Sequence, residues 1–437
     1  MRRARSALRS ASPAVVAIAS LCLFTALTPT PAAARILFEE GEYRLELRSA
    51  FKSSLLLAIP YEQDPILFPD VPAGAGLFRL RFDLNAAIGE HLSMAVAYEH
   101  RVRTSSGGAI GVGLLPSSAR APFRLEPLDW AVVDSGPAYL HQHEFDRGYI
   151  ALHFDVFELT VGRQAIGLGR GLMFSAVDIF SPFTPTEVDR EWRRGVDAIH
   201  LELRIPDVSE LSADVIAAFG PVVDDALQSW ALIGRVRAIL GDVDAAVLLG
   251  RRDQDNIVGV VLSANVGDAE LHGELALFGT DGEGIDGGLF GTRAVVGKGL
   301  LGGSYMVDIG TGLRIAAEYH YSGFGVRNIG DDPSIVFNEA FQLRFARGDS
   351  QLFGRHAIAV SLSYAVQEDL SLTLAYIQSP VDGSGLIAPT FTWTQSDNVT
   401  ILLNVLVPWG TLPEAGVPTS EWGATPLTIF LQARFYD

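Results

Sequence analysis

The sequence predicts an all-β protein, a single closed antiparallel transmembrane β-barrel of about 18 strands (16 to 18). Three observations lead to this fold class: alternating apolar and polar stretches, an N-terminal export signal, and connections that are alternately short and long. The second stretch shows the alternation most cleanly, with Phe78, Leu80 and Phe82 on one face and Arg79 and Arg81 on the other. Only a β-strand has a side-chain period of two.

The first 34 residues have the pattern of a secretory signal peptide. Arginines at positions 2, 3, 5 and 9 precede an apolar run at 14–27, and the small residues Ala32, Ala33 and Ala34 follow. We expect cleavage after Ala34, which leaves residues 35–437 as one barrel domain. A signal anchor is the alternative, but the apolar run is shorter than the ~20 residues of a spanning helix.

Composition and charge argue against several classes of function. The chain has 33 basic and 51 acidic residues, a net charge of -18, and the mature chain is more acidic still once the signal arginines are removed. Nucleic acid is therefore not an expected partner. The one cysteine, Cys22, lies in the signal, so a disulfide framework, a thiolate metal site and a cysteine nucleophile are excluded from the mature chain.

The connections between the alternating stretches have two lengths. Short turns, expected on the periplasmic side, are predicted at 89–90, 155–156, 207–208, 241–242, 267–268, 310–311, 367–368 and 396–397. The long outer inserts are predicted near 104–146, 166–194 and 322–354. A soluble β-sandwich also shows alternation, but so many long strands with short alternate turns favour the barrel.

The alternation also assigns the two faces of the wall. Lipid supplies no hydrogen bonds, and an arginine facing it at mid-depth costs about 2 to 4 kcal/mol, so charged side chains should face the lumen. The predicted lumen wall includes Arg79, Arg81, Arg235, Arg237, Arg314 and Glu318. Two interpretations stay open: a solvated wall of cross-strand ion pairs, or a transverse field that orients a solute.

The segment from Thr160 to Leu203 has the richest local sequence. Closely spaced glycines at 167, 169 and 171, a Phe-Pro stretch and dense opposite charges predict a loop that folds into the barrel and narrows it. The candidate constriction residues are Arg163, Gln164, Arg170, Asp178, Glu187, Asp189, Arg190, Glu191, Arg193 and Arg194. An ordinary outer loop held by surface ion pairs is the alternative. The alternation points Arg163 toward lipid, so we expect a bulge at Gly162 or a rim position there.

The same segment carries a family resemblance. Gly162-Arg163-Gln164, followed by Gly167, Gly169 and Gly171, resembles outer-membrane channels of the alginate-export type and related porin-like barrels. The resemblance is local. It implies a porin-like barrel and makes export of saccharides or anionic polymers a possible specialisation.

These observations predict a porin-like outer-membrane channel for diffusion or facilitated passage of small hydrophilic solutes. The alternatives are a plugged barrel in envelope assembly or adhesion and, less favoured, a membrane-embedded hydrolase. No cofactor or nucleophile motif is apparent, so the chain is not expected to be an enzyme. His141 and His143 lack a clear third ligand, so no metal site is predicted. Expected partners are outer-membrane lipids, lipopolysaccharide, the barrel assembly machinery and the solute; the sequence does not indicate the oligomeric state.

Overall fold

The computed structural model describes residues 35–61, 73–106, 122–136, 138–205, 210–223, 226–331 and 333–437. The signal peptide and the turn predicted at 207–208 lie outside these residues and stay predictions. The strands are β1 Arg35–Glu40, β2 Tyr43–Ile59, β3 Ala73–Ile88, β4 Leu92–Ser105, β5 Asp129–Asp134, β6 Tyr139–His153, β7 Phe157–Gln164, β8 Val196–Arg204, β9 Leu211–Phe219, β10 Val222–Val223, β11 Ala226–Leu227, β12 Trp230–Leu240, β13 Val243–Arg252, β14 Asp255–Val266, β15 Ala269–Gly279, β16 Val295–Val307, β17 Leu313–Ser322, β18 His356–Gln367, β19 Leu370–Gln378, β20 Gly385–Ser396, β21 Val399–Trp409 and β22 Leu427–Tyr436.

The sheet closes because β2 pairs along one edge with β3 and along the other with β22. The wall consists of 18 antiparallel strands, β2–β4, β6–β9 and β12–β22, which confirms the predicted fold class. Two further strands extend it: β1 folds back on the start of β2, and β5 pairs with β6. The short strands β10 and β11 form a separate hairpin.

Short turns define one end of the barrel, which we call the turn end; the opposite end is the loop end. Gly89, Gly241 and Gly267 lie in two- or three-residue turns with φ of 61°, 62° and 61°. Glycine adopts this left-handed conformation without the steric cost that a Cβ adds, so the adjoining strands can reverse tightly. The described short turns lie where the alternation predicts them.

The outer face of the wall is an apolar belt. Leu249, Leu275 and Leu301 are 65%, 54% and 68% exposed, although large apolar side chains are usually buried in water-soluble folds. Such a belt is stable when it contacts hydrocarbon. Among the described residues, no helix is long and apolar enough to span a membrane.

The three predicted inserts differ in the structure. Much of 104–146 belongs to the sheet, because β4 continues to Ser105 and β5 and β6 occupy the second half. The insert 322–354 contains a 3-10 turn, Pro333–Phe337, and the helix α1, Glu339–Ala346. Residues 165–195 connect β7 to β8 and fold into the barrel; we call them the inward loop.

The inward loop creates an apolar core inside the barrel, which a uniformly polar wall does not predict. Its buried members from the loop are Ile166, Leu168, Val177, Ile179 and Phe180, and they pack on the inner faces of β8, β9 and β12–β16. A second core joins Phe174 of the loop to the inner faces of β2, β16 and β18–β22. Wall positions that face the loop are apolar because the loop, rather than water, is their neighbour.

Candidate functional site

Two glutamates of the wall hold the tip of the inward loop. Glu274 of β15 accepts hydrogen bonds from the backbone N–H groups of residues 170, 171, 176 and 177 and from the Ser175 hydroxyl, which lies 2.8 Å away. Glu318 of β17 accepts from the N–H groups of residues 172–174 and lies 2.9 Å from His272 Nε2. The two carboxylates therefore satisfy loop N–H groups that would otherwise lack partners inside the barrel.

Glycines make this approach possible. A Cβ on Gly169 would lie 2.7 Å from Glu274 Oε1, and a Cβ on Gly171 would overlap the carbonyl oxygen of Phe174. The loop backbone could not reach the wall carboxylates with larger residues at these two positions.

The loop carboxylates lie against cations of the wall. Asp189 Oδ1 is 2.8 Å from Lys52 Nζ, and Asp189 Oδ2 is 3.5 Å from Arg79 Nη1. Glu191 Oε2 is 2.7 Å from the same Lys52 Nζ and accepts a 2.6 Å hydrogen bond from the Tyr436 hydroxyl. Burial alone would raise the pKa of Asp189, but Lys52 and Arg79 hold it below its ordinary value.

Wall cations form a row across neighbouring strands. In the sheet register Lys52 lies opposite Arg79, and Arg79 lies opposite Arg101, an arrangement of like charges that is unfavourable by itself. Glu99 compensates the row: it is fully buried and contacts Arg79 at 2.9 Å and Arg101 at 2.7 Å. The ring of Trp192, from the loop, lies 3.7 Å from Lys52 Nζ and 4.8 Å from the Arg79 guanidinium carbon.

This row extends toward β6 through a bulge. Ala97 and Tyr98 of β4 pair with residues 147 and 145, so Asp146 is an extra residue in β6. The side chain of Asp146 lies 3.1 Å from Arg81 and 2.9 Å from Arg124. We call the inner-face cations Lys52, Arg79, Arg81, Arg101, Arg124, Arg147 and Arg434 the basic strip. The predicted lumen wall included Arg79 and Arg81 of this strip, and the alternation within β2 was the signal that could have added Lys52.

Two candidate constriction residues lie in the wall rather than in the lumen. Arg163, at the end of β7, pairs with Asp197 at 2.8 Å and donates to the backbone carbonyls of residues 126, 127 and 145. Gln164 donates to the carbonyls of residues 160 and 198. The pairing of β7 continues through Gly162 without a register shift, and the φ of Gly162 is 123°. Instead of a bulge there, β7 ends at Gln164, and β5 takes its place beside the rest of β6.

Four other candidates hold the loop together. Arg190 donates to the carbonyls of residues 172, 184, 185 and 187. Arg193 forms an ion pair with Asp178 and lies 4.9 Å from the Phe183 ring. Burial raises the pKa of Asp178 in spite of Arg193, and burial also raises the pKa of Glu187, which accepts from the Thr184 N–H.

Arg194 differs from the other loop arginines. Among the residues that the structure describes, it has no carboxylate in ion-pair contact and makes no side-chain hydrogen bond. Burial, together with the positive charge of Arg101, lowers its pKa to about 10. Its side chain is partly accessible, so an unpaired cation lies at the edge of the basic strip.

The remaining candidates line a vestibule at the turn end. Arg170, Arg237 and Arg314 are 44%, 37% and 45% exposed, and Asp244 pairs with the first two. Arg235 pairs with Asp214 at 2.6 Å. The vestibule walls thus carry solvated ion pairs, whereas Lys52, Arg79 and Glu99 beside the inward loop are buried.

Comparison with solved structures places this architecture among known barrels. OccAB1 of Acinetobacter baumannii is similar, with 9% identity and a TM-score of 0.53, covering 90% of this chain and 95% of that chain. OccK8 (OprE) of Pseudomonas aeruginosa has 10% identity and a TM-score of 0.52, covering 90% and 98% of the two chains. OccK11 (OpdR) of the same organism has 10% identity and a TM-score of 0.51, covering 90% and 95%. At these identities the likeness shows the fold.

No protein-family model and no curated protein sequence matches the chain. The prediction of a porin-type barrel is confirmed at the level of fold, and the alginate-export resemblance stays a prediction.

Proposed function

We propose that this chain is a non-enzymatic outer-membrane channel for small hydrophilic solutes, and that it prefers anionic ones. The observation that carries the preference is Arg194, a partly exposed cation without an ion-pair partner among the described residues, beside a wall row of Lys52, Arg79 and Arg101. Barrels of 16 to 18 strands are wide enough to hold an aqueous path, which supports passage through the interior.

The mechanism follows from the loop carboxylates. Asp189 and Glu191 form ion pairs with the wall cations, as two carboxylates of a solute would. We propose that an anionic solute first pairs with Arg194 and then displaces these side chains from Lys52 and Arg79. Exchange of one carboxylate for another keeps Lys52 and Arg79 paired, so the barrier is lower than for exposing these buried cations without a partner.

Location and partners follow from the apolar belt. We propose insertion in the outer membrane after signal cleavage, contact with lipids and lipopolysaccharide, and assembly by the barrel assembly machinery. The local resemblance to alginate-export-type channels extends the solute class to acidic saccharides. Because two apolar cores occupy much of the barrel, a monomer or short oligomer fits the interior better than a thick polymer.

Planar-bilayer recording tests the proposal. In a KCl gradient, Arg194→Glu should move the reversal potential toward cations, and Asp189→Asn with Glu191→Gln should move it toward anions. The matched control is Glu158→Gln with Glu202→Gln, two lumen-facing acids near the turn end that pair with Arg204. Equal shifts in the control, or none in either test variant, would reject the assignment of the selective site.

A plugged barrel in envelope assembly or adhesion is the second candidate. Lys52 and Glu99 are fully buried, and the inward loop packs into both cores, which favours a filled interior. Folded wild-type protein that never conducts, together with a conducting variant whose inward loop is shortened, would favour this candidate over the channel.

A further inference from the structure

Three histidines meet on the outer face of the barrel, away from the lumen. His100 of β4 lies directly opposite His143 of β6, and His141 lies two residues further along β6 toward the loop end. The ring centroids are 4.5 Å apart for His100 and His141, 4.6 Å for His100 and His143, and 5.3 Å for His141 and His143. These side chains alternate with Glu99 and Arg101, which face inward, so the cluster is separate from the basic strip.

The ring nitrogens have the spacing of a ligand set. One nitrogen from each ring lies within 4.8 Å of the other two, and the Nε2 atoms of His100 and His141 are 2.8 Å apart. Imidazole binds Zn²⁺ at about 2.0 to 2.1 Å, which puts ligand nitrogens roughly 3.3 Å apart in a tetrahedral site. Small changes of ring orientation would bring the three nitrogens to that separation.

The surroundings orient His143 for such a role. The Tyr98 hydroxyl contacts His143 Nδ1, and the Trp130 ring stacks on the imidazole with centroids 5.3 Å apart and planes 14° from parallel. An outer partner on one ring nitrogen fixes the tautomer and leaves the other nitrogen to a metal. Sequence spacing offered only His141 and His143; the strand register of β4 and β6 adds the third ligand.

We propose that His100, His141 and His143 bind a late divalent transition metal, of which Zn²⁺, Cu²⁺ and Ni²⁺ are the candidates by chemistry. Three neutral imidazoles suit these ions and not Mg²⁺ or Ca²⁺, which prefer oxygen ligands. In a tetrahedral site, three protein nitrogens leave a fourth position for a water molecule. A bound ion would join β4 to β6 on the outer surface of the wall, and this site does not depend on the proposed transport function.

Metal titration of the purified full-length chain, made without a histidine tag and stripped with EDTA, tests the site. Isothermal titration with ZnCl₂ should show one ion per chain, and His100→Asn or His141→Asn should weaken binding at least about tenfold. Electron paramagnetic resonance with CuCl₂ should show three nitrogen ligands in the wild type and fewer in each variant. His356→Asn is the matched control, since His356 also faces outward and bonds a tyrosine, Tyr319, at 2.7 Å.

Heat modifiability in SDS gels gives the unfolding temperature of the barrel. Because several variants are compared, the test remains informative if one of them folds poorly. Zn²⁺ should raise the unfolding temperature of wild type and His356→Asn, and leave that of His141→Asn or the milder His143→Gln unchanged. The proposal is overturned if the wild type binds no Zn²⁺ or Cu²⁺ at micromolar concentrations. It is also overturned if the cluster variants bind as the control does, or if MgCl₂ competes equally.

Discussion

Replacing Glu274 by alanine should release the tip of the inward loop. The carboxylate accepts five hydrogen bonds from the loop, four from backbone N–H groups and one from Ser175. Bonds to a charged group are worth about 1.5 to 3 kcal/mol each, but water from the vestibule re-solvates part of the freed backbone. We therefore expect a net loss of about 3 to 5 kcal/mol, the range for breaking a buried charged contact.

The rest of the loop should stay docked. Its five apolar anchors, Ile166, Leu168, Val177, Ile179 and Phe180, are all buried. Each contributes about 1.5 to 3 kcal/mol, which together exceeds the loss at the tip. A loss of 3 kcal/mol shifts the docking equilibrium of the tip by roughly a hundredfold. The expected phenotype is a folded barrel with a wider, more frequently open path.

Single-channel recording should resolve this effect as longer dwell times in a larger conductance level. Glu270→Ala is the matched control, because Glu270 lies on the same inner face of β15 but is 41% exposed and pairs only weakly, at 3.7 Å, with Arg314. Identical conductance levels and dwell times for Glu274→Ala, Glu270→Ala and wild type, all verified as folded by heat modifiability, would refute the role of Glu274 in holding the loop tip.

Three further predictions concern other parts of the molecule. Gly171→Ala should open the same path as Glu274→Ala, since a Cβ there overlaps the Phe174 carbonyl; unchanged recordings would contradict this. Arg163→Met should cost about 3 to 5 kcal/mol by removing the cation that pairs with Asp197, lowering the unfolding temperature in SDS gels while ion preference stays constant. Burial raises the pKa of Glu421, in the loop between β21 and β22, from 4.5 to about 7 despite N–H donation from residues 353 and 354. Its stabilising protonation is complete below pH 4.5 and lost as pH rises through 7, so protease resistance of this loop should fall between pH 5 and 8 in wild type and stay flat in Glu421→Gln.

The location of the charged residues shows how far the lumen could be predicted. Alternation assigned Arg79 and Arg81 to the inner face because an error of one residue would have put both in lipid. It could not show that Glu99 joins Arg79 to Arg101, since that contact depends on the register of β3 against β4. The same limit hid His100, which only the pairing of β4 with β6 brings to His143.

The inward loop shows most clearly what the sequence predicted and what depended on the tertiary structure. Its glycines and dense charges predicted that the insert near 166–194 folds into the barrel, because close backbone approach needs glycine and buried charges need partners, but they left an ordinary outer loop as the alternative. Which charges hold the loop, which join the wall and which stay free was decided by tertiary structure. Arg163, Arg190 and Arg194 have the same side chain, yet one bonds a wall segment, one bonds loop carbonyls and one stays unpaired among the described residues. Local sequence determines strand period and turn chemistry, whereas the partner of a long charged side chain depends on which distant strands the closed barrel brings within hydrogen-bond reach.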